Sequence, residues 1–138
     1  MSGSRSSAGN ESSRLRDGTG WQDAGGYSRA VRRGSLIAVS GTTAHGPDGA
    51  ALFPGDTYAQ ARHCIAVVLG AVDALGGTLH DVVRTRVLLA PGADWAAATR
   101  AHGEAFGAAP PANSTYYVAG LVGEGFLVEV EADALVQP

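Results

Sequence analysis

Two stretches of this chain alternate strictly, and both put their charges on one side. Phe126 to Leu135 reads FLVEVEADAL. On a strand, Phe126, Val128, Val130, Ala132 and Ala134 share one face, while Leu127, Glu129, Glu131, Asp133 and Leu135 share the other. Val82 to Leu89 (VVRTRVLL) sets Val83, Thr85, Val87 and Leu89 opposite Arg84 and Arg86. A sheet built from such strands has an apolar face that must be covered and a second face with basic charge on one strand and acidic charge on another. Neighbouring strands of that kind can pair across the ladder, each exposed pair contributing about 0.2–1 kcal/mol. Leu127 and Leu135 lie among the charges, so this face is expected to meet other subunits or line a polar cleft.

Two helices can cover the apolar face. Asp56 or Thr57 can cap the first. Ala61, Cys64, Ile65, Val68, Leu69, Val72 and Leu75 then recur at three- and four-residue spacing until Gly76-Gly77 stops the run. Asp94 caps the second, Trp95 to Phe106, which Gly107 closes. Further strands are expected over 26–32, Ser35 to Ser40 and Asn113 to Ala119. A short one, Ala50 to Phe53, would pair back across the turn His45 to Gly49. The order β-β-(β)-α-β-α-β-β predicts an α+β fold, a single mixed β-sheet with two helices on one face. The 138 residues fit one domain, placed at 21–138. Residues 1–20 are Ser/Gly-rich with almost no large apolar groups, which predicts a disordered tail.

Composition narrows the chemistry. All ten basic residues are arginines, so a Schiff-base lysine is excluded. The formal net charge is −3 and no basic stripe forms, so no nucleic-acid partner is expected. No apolar run approaches the ~18 residues of a membrane span, and residues 1–20 carry no secretory h-region, so the expected location is cytoplasmic, with no membrane partner. Cys64 is the sole cysteine; it falls on the apolar stripe of the first helix and is expected to be a buried thiol rather than a nucleophile. His45, His63, His80 and His102 show no metal-ligand spacing, so no metal is expected, and no Gly-x-Ser-x-Gly motif of a serine nucleophile is present.

Several motifs then fall in a familiar order. Gly26-Tyr27-Ser28-Arg29-Ala30-Val31, Leu36-Ile37-Ala38-Val39-Ser40-Gly41, Asp81-Val82-Val83-Arg84-Thr85, Pro111-Ala112-Asn113-Ser114 and Leu127-Val128-Glu129-Val130-Glu131-Ala132 resemble the motifs of the Rid family. These are the reactive-intermediate deaminases, also called the YjgF family. The resemblance spans about residues 25–136. It implies a chorismate-mutase-like fold and a homotrimer in which three sheets form a central barrel with clefts between subunits. It also implies hydrolysis of small enamines and imines to a keto acid and ammonia, with no metal and no cofactor.

Position by position, the resemblance makes Tyr27 the cleft tyrosine, Ser40 and Gly41 the pocket floor, and Glu129 the carboxylate that places the hydrolytic water. Ser114 follows in the same motif, and Thr115 stands where the family often has a cysteine whose backbone holds substrate and water. Asn113 stands where the family has an arginine that clamps the substrate carboxylate. An arginine fork gives two charge-assisted bonds, and an asparagine a single neutral amide. The change could cost a few kcal/mol of binding, at about 1.5–3 per charged bond, unless Arg84 or Arg86 reaches in. An altered substrate range is therefore expected. Other readings are a different chemistry on the same scaffold, as in a tailoring enzyme of specialised metabolism, or a non-catalytic small-molecule-binding trimer.

Overall fold

The structure is a computed structural model and describes residues 12–138. Six strands form one sheet: β1 (Ser12–Leu15), β2 (Ala30–Arg33), β3 (Leu36–Thr43), β4 (Val82–Leu89), β5 (Ala112–Tyr117) and β6 (Val128–Leu135). Their spatial order is β1-β2-β3-β6-β4-β5. Every neighbouring pair is antiparallel except β4 and β5. Helix α2 (Thr57–Ala74) carries the chain from β3 to β4, and α3 (Trp95–Phe106) from β4 to β5. A parallel pair needs such a crossover, and both helices pack over the same apolar face.

The caps act as the sequence predicts. The Asp56 carboxylate accepts from the Ala59 N–H at 3.0 Å, and Asp94 from Ala97 at 3.2 Å. At the other end of α2, the Gly77 N–H donates to the Val72 carbonyl and the Gly76 N–H to that of Asp73. This double closure needs a left-handed residue, and Gly76 has φ +90°. The core holds Cys64, Val68 and Val72 of α2, Phe106 of α3, and Ile37, Leu89, Val128 and Val130 of the sheet. The Cys64 thiol donates to the Val128 carbonyl, and burial pushes its pKa up to about 12.

Four expectations change. Residues 12–15 form an edge strand on β2, with Leu15 opposite Ala30, where a tail was expected; residues 1–11 of that tail lie outside the described residues. Backbone pairing rather than apolar periodicity holds this strand, which left no hydrophobic signature. A short third helix, α1 (Gly20–Gly25), follows it. Residues 50–53 form no strand; a single bridge joins His45 to Ala51. Val83 faces outward at 44% exposure and Val82 is buried instead, because a register shift between Val82 and Arg84 resets the alternation. On β6 the expected faces hold: Val128, Val130, Ala132 and Ala134 are buried. Among the described residues, no helix is long and apolar enough to cross a membrane.

Candidate active site

A bulge in β3 builds the site. Val39 lies opposite Ala132 and Thr42 opposite Val130, so three steps on β3 match two on β6. The extra residue bends the strand at Ser40-Gly41. Local bonds fix the bend: the Ser40 hydroxyl donates to the Ser28 carbonyl at 2.7 Å, and the Thr42 hydroxyl to the Ser40 carbonyl at 2.8 Å. Arg29, from the segment entering β2, clasps it from beside. Its Nη2 donates to the Gly41 carbonyl at 2.7 Å and its Nη1 to the Thr42 hydroxyl at 2.9 Å.

Glu129 lies on the charged face of β6, opposite Thr43 of β3 and Leu88 of β4. Its carboxylate rests directly on Gly41. A Cβ at position 41 would collide with Glu129 Oε2 and lie 3.0 Å from its Cδ. Only glycine permits that approach. Burial raises the Glu129 pKa, the neighbouring Glu131 raises it further, and Arg29 opposes both.

Glu129 opens into a cavity of about 370 Å³, shared with Tyr27, Arg29, Gly41, Thr43 and His45. Trp21 and Gln22 of α1 form one wall, and Val122, Gly123 and Phe126 of the loop before β6 form another. His45 Nδ1 lies 3.2 Å from the Thr43 hydroxyl, and Trp21 meets the His45 ring edge-on at 4.9 Å. Gln60, fully buried in α2, ties the loop wall down. Its amide donates to the carbonyls of Leu52, Phe53 and Gly125, and its oxygen accepts from the Leu127 N–H at 2.8 Å. The cavity thus combines a raised carboxyl, a phenol, an imidazole and a guanidinium. Such a set can position water, take a proton from it and return a proton to a leaving nitrogen.

Of the residues singled out in the sequence, this cavity gathers Tyr27, Gly41 and Glu129. Ser40 is adjacent, but its hydroxyl is turned to the Ser28 carbonyl. Asn113 and Thr115 line a separate hollow against α3, with Thr99 and His102. There the Asn113 amide donates to the Thr85 hydroxyl at 3.1 Å, and Thr115 donates to the Asn113 oxygen at 3.0 Å. Thr85 also lies 2.8 Å from His102 Nε2. Ser114 lies between them on β5, paired with Arg86 of β4. The Arg86 guanidinium bridges Glu131 at 3.5 Å and Asp133 at 3.4 Å. Arg84 lies opposite Asp133 on the same face. Neither arginine lines the Glu129 cavity; Arg29 does, and sequence reasoning did not single it out. No group of three or more His, Cys, Asp or Glu side chains among the described residues could hold a metal ion.

Comparison with known proteins adds an independent line. The family model described as endoribonuclease L-PSP matches residues 20–136. An uncharacterised Streptomyces coelicolor protein is 35% identical over 88% of this chain and 90% of its own length. The mouse protein named 2-iminobutanoate/2-iminopropanoate deaminase is 32% identical over 83% of this chain and 84% of its own. A crystal structure from Mycobacterium tuberculosis, described as a member of the YjgF family, superposes with a TM-score of 0.82 at 38% identity. It covers 91% of this chain and all of the other.

Proposed function

The chain belongs to the endoribonuclease L-PSP family, the Rid or YjgF family, and from that premise we propose that it hydrolyses a small reactive imine or enamine at the Glu129 cavity. The observation that carries this reading is the carboxyl of Glu129, half-buried on Gly41 with its pKa raised, in a cavity that Tyr27 also lines. A base must be ionised yet retain affinity for a proton at working pH, and burial supplies that poise. Glu129 takes the proton of an attacking water as oxygen bonds to the imine carbon. Tyr27 or His45 protonates nitrogen to give a carbinolamine. Glu129 then passes its proton to the amine, the group that gave the first proton takes one back from the hydroxyl, the C–N bond breaks, and ammonia and a carbonyl compound leave with both side chains restored.

The working unit in this reading is a homotrimer. The open sheet face carries Leu36 and Leu135, opposite one another at one end and nearly half exposed, and exposed Tyr116 toward the other end, in the row of Leu88 and Glu129. Apolar groups amid charge on a face no helix covers suit a subunit interface. Asn113 lies in a different hollow from Glu129 within one chain. A contribution of Asn113 to the same cleft therefore requires a neighbouring copy. With asparagine in place of the family arginine, the substrate range is altered.

The test is ammonia release from imines generated in place, beginning with 2-iminobutanoate and 2-iminopropanoate, alongside the mass of the particle in solution. Release should exceed hydrolysis by solvent and disappear in Glu129→Gln. If Asn113→Arg alone confers release, the missing clamp sets the range. Equal rates for the wild type and Glu129→Gln, with Asn113→Arg conferring no release, would overturn the assignment, and a monomeric particle would overturn the intersubunit cleft.

A further inference from the structure

Arg29 is an unusual cation. Its residue exposure is 5%, yet it lines the cavity that holds Glu129. Its two hydrogen bonds go to neutral acceptors, the Gly41 carbonyl and the Thr42 hydroxyl. Its Nε is buried without a hydrogen-bond partner. The nearest carboxylate oxygen to Nε, Asp17 Oδ2, stands at 3.9 Å, too far for a hydrogen bond. Asp17 is committed elsewhere: its Oδ1 accepts from the Gln22 side chain at 2.6 Å and from the Thr19 N–H at 3.2 Å. A buried guanidinium is costly unless it is closely paired, and its planar fork matches a carboxylate. Purely structural clasps of a bulge do not need a charge.

We infer that Arg29 is the specificity-determining anchor of the cavity, binding an anionic group of the ligand, a carboxylate by its geometry, with Asp17 competing for the same guanidinium. The cation that the Asn113 position lacks is then supplied from the segment entering β2, within the chain that carries Glu129. This inference rests on reading the cavity as the substrate site, and it extends that reading to the ligand's charge.

The experiment measures binding rather than turnover. The intact protein is titrated with 2-oxobutanoate and with its neutral amide, by calorimetry or NMR. The acid should bind the wild type at least about tenfold more tightly than the amide, a ratio within reach of one charge-assisted bond. Arg29→Gln should bring the acid down to the amide's level and leave the amide unchanged. Arg29→Lys should weaken the acid severalfold, which keeps the test open if the glutamine variant fails to fold. Asp17→Asn should tighten the acid severalfold. Equal binding of acid and amide by the wild type, or parallel loss of both in the Arg29 variants, would overturn the inference, because a merely structural clasp moves both ligands alike. Acid-selective binding lost with Arg29, in a protein that releases no ammonia, supports the anchor and rejects the hydrolase.

Discussion

Gly41 offers the sharpest separation of stability from chemistry. In an ordinary strand, replacing glycine by alanine gains about 0.5–1 kcal/mol from reduced chain entropy. Here the new methyl would occupy the place of the Glu129 carboxylate. The obstacle is the far end of a flexible side chain, so Glu129 can rotate away at about 0.5–1.5 kcal/mol. The two effects nearly cancel, and Tm should move by no more than about 4 °C in a chain of this size. Catalysis has no such compensation. A displaced general base forfeits about 10²–10⁴-fold in rate. Gly77→Ala is the matched control, because its Cβ would lie 2.8 Å from Val72 Cγ1 and 3.1 Å from Ile37 Cδ1, both in the core. Overpacking there should cost about 1–3 kcal/mol while leaving the rate per folded molecule intact. Thermal unfolding and ammonia release, measured on both variants, give a two-by-two outcome. Gly41→Ala working at the wild-type rate would refute the placement of Glu129 at the reacting centre. A large fall in its Tm would refute the claim that only a side-chain tip stands in the way.

Glu129 also sets a pH signature. Its folded pKa lies above the unfolded value, so the native state holds the proton more tightly, and Glu129 favours folding below the unfolded pKa. That contribution is lost as pH rises through the folded pKa. Glu129→Gln should therefore be inactive but more stable than the wild type above this window, with the difference shrinking as the buffer is acidified; a constant difference across pH in denaturant melts would contradict it. The acid limb of kcat/KM should likewise fall above the usual carboxylate range. Gln60→Ala leaves the part-buried Leu127 N–H and the carbonyls of Leu52 and Gly125 without this partner, while the Phe53 carbonyl keeps the Asp56 N–H. A loss of about 2–4 kcal/mol is expected from the orphaned groups and the cavity together, with faster hydrogen exchange at Leu127; an unchanged melt would remove Gln60 as the tie of the loop wall.

The sheet and its covering helices were legible because alternation and helical periodicity are direct records of burial. The β6 pattern names its own buried face, and Asp56 and Asp94 announce the starts of α2 and α3. Elements held by backbone pairing alone left no such record. β1 has one large apolar side chain, Leu15, and the flip at Val83 depends on a register shift that no local pattern encodes. The site was legible in part. Tyr27, Gly41 and Glu129 share a cavity, as their motifs suggested, but Asn113 and Thr115 lie elsewhere in the chain. Arg29 reads in sequence as one of three arginines around a strand; its burial arises from the bulge of β3 and from the segment after β1. Gln60 did carry a signal, as a lone amide on the apolar stripe of α2 one turn before Cys64.

The placement of β1 changes how this protein should be handled at its amino end. Shortening the chain to residue 19 or beyond would strip the outermost ribbon from β2 and leave a bare row of amides and carbonyls inviting another molecule to stack there. The same cut would take away Asp17 and leave the neighbouring guanidinium without its nearest counter-charge. Preparations with and without this segment are thus different reagents, in their tendency to aggregate and in the acids they retain, although the sheet beneath is the same.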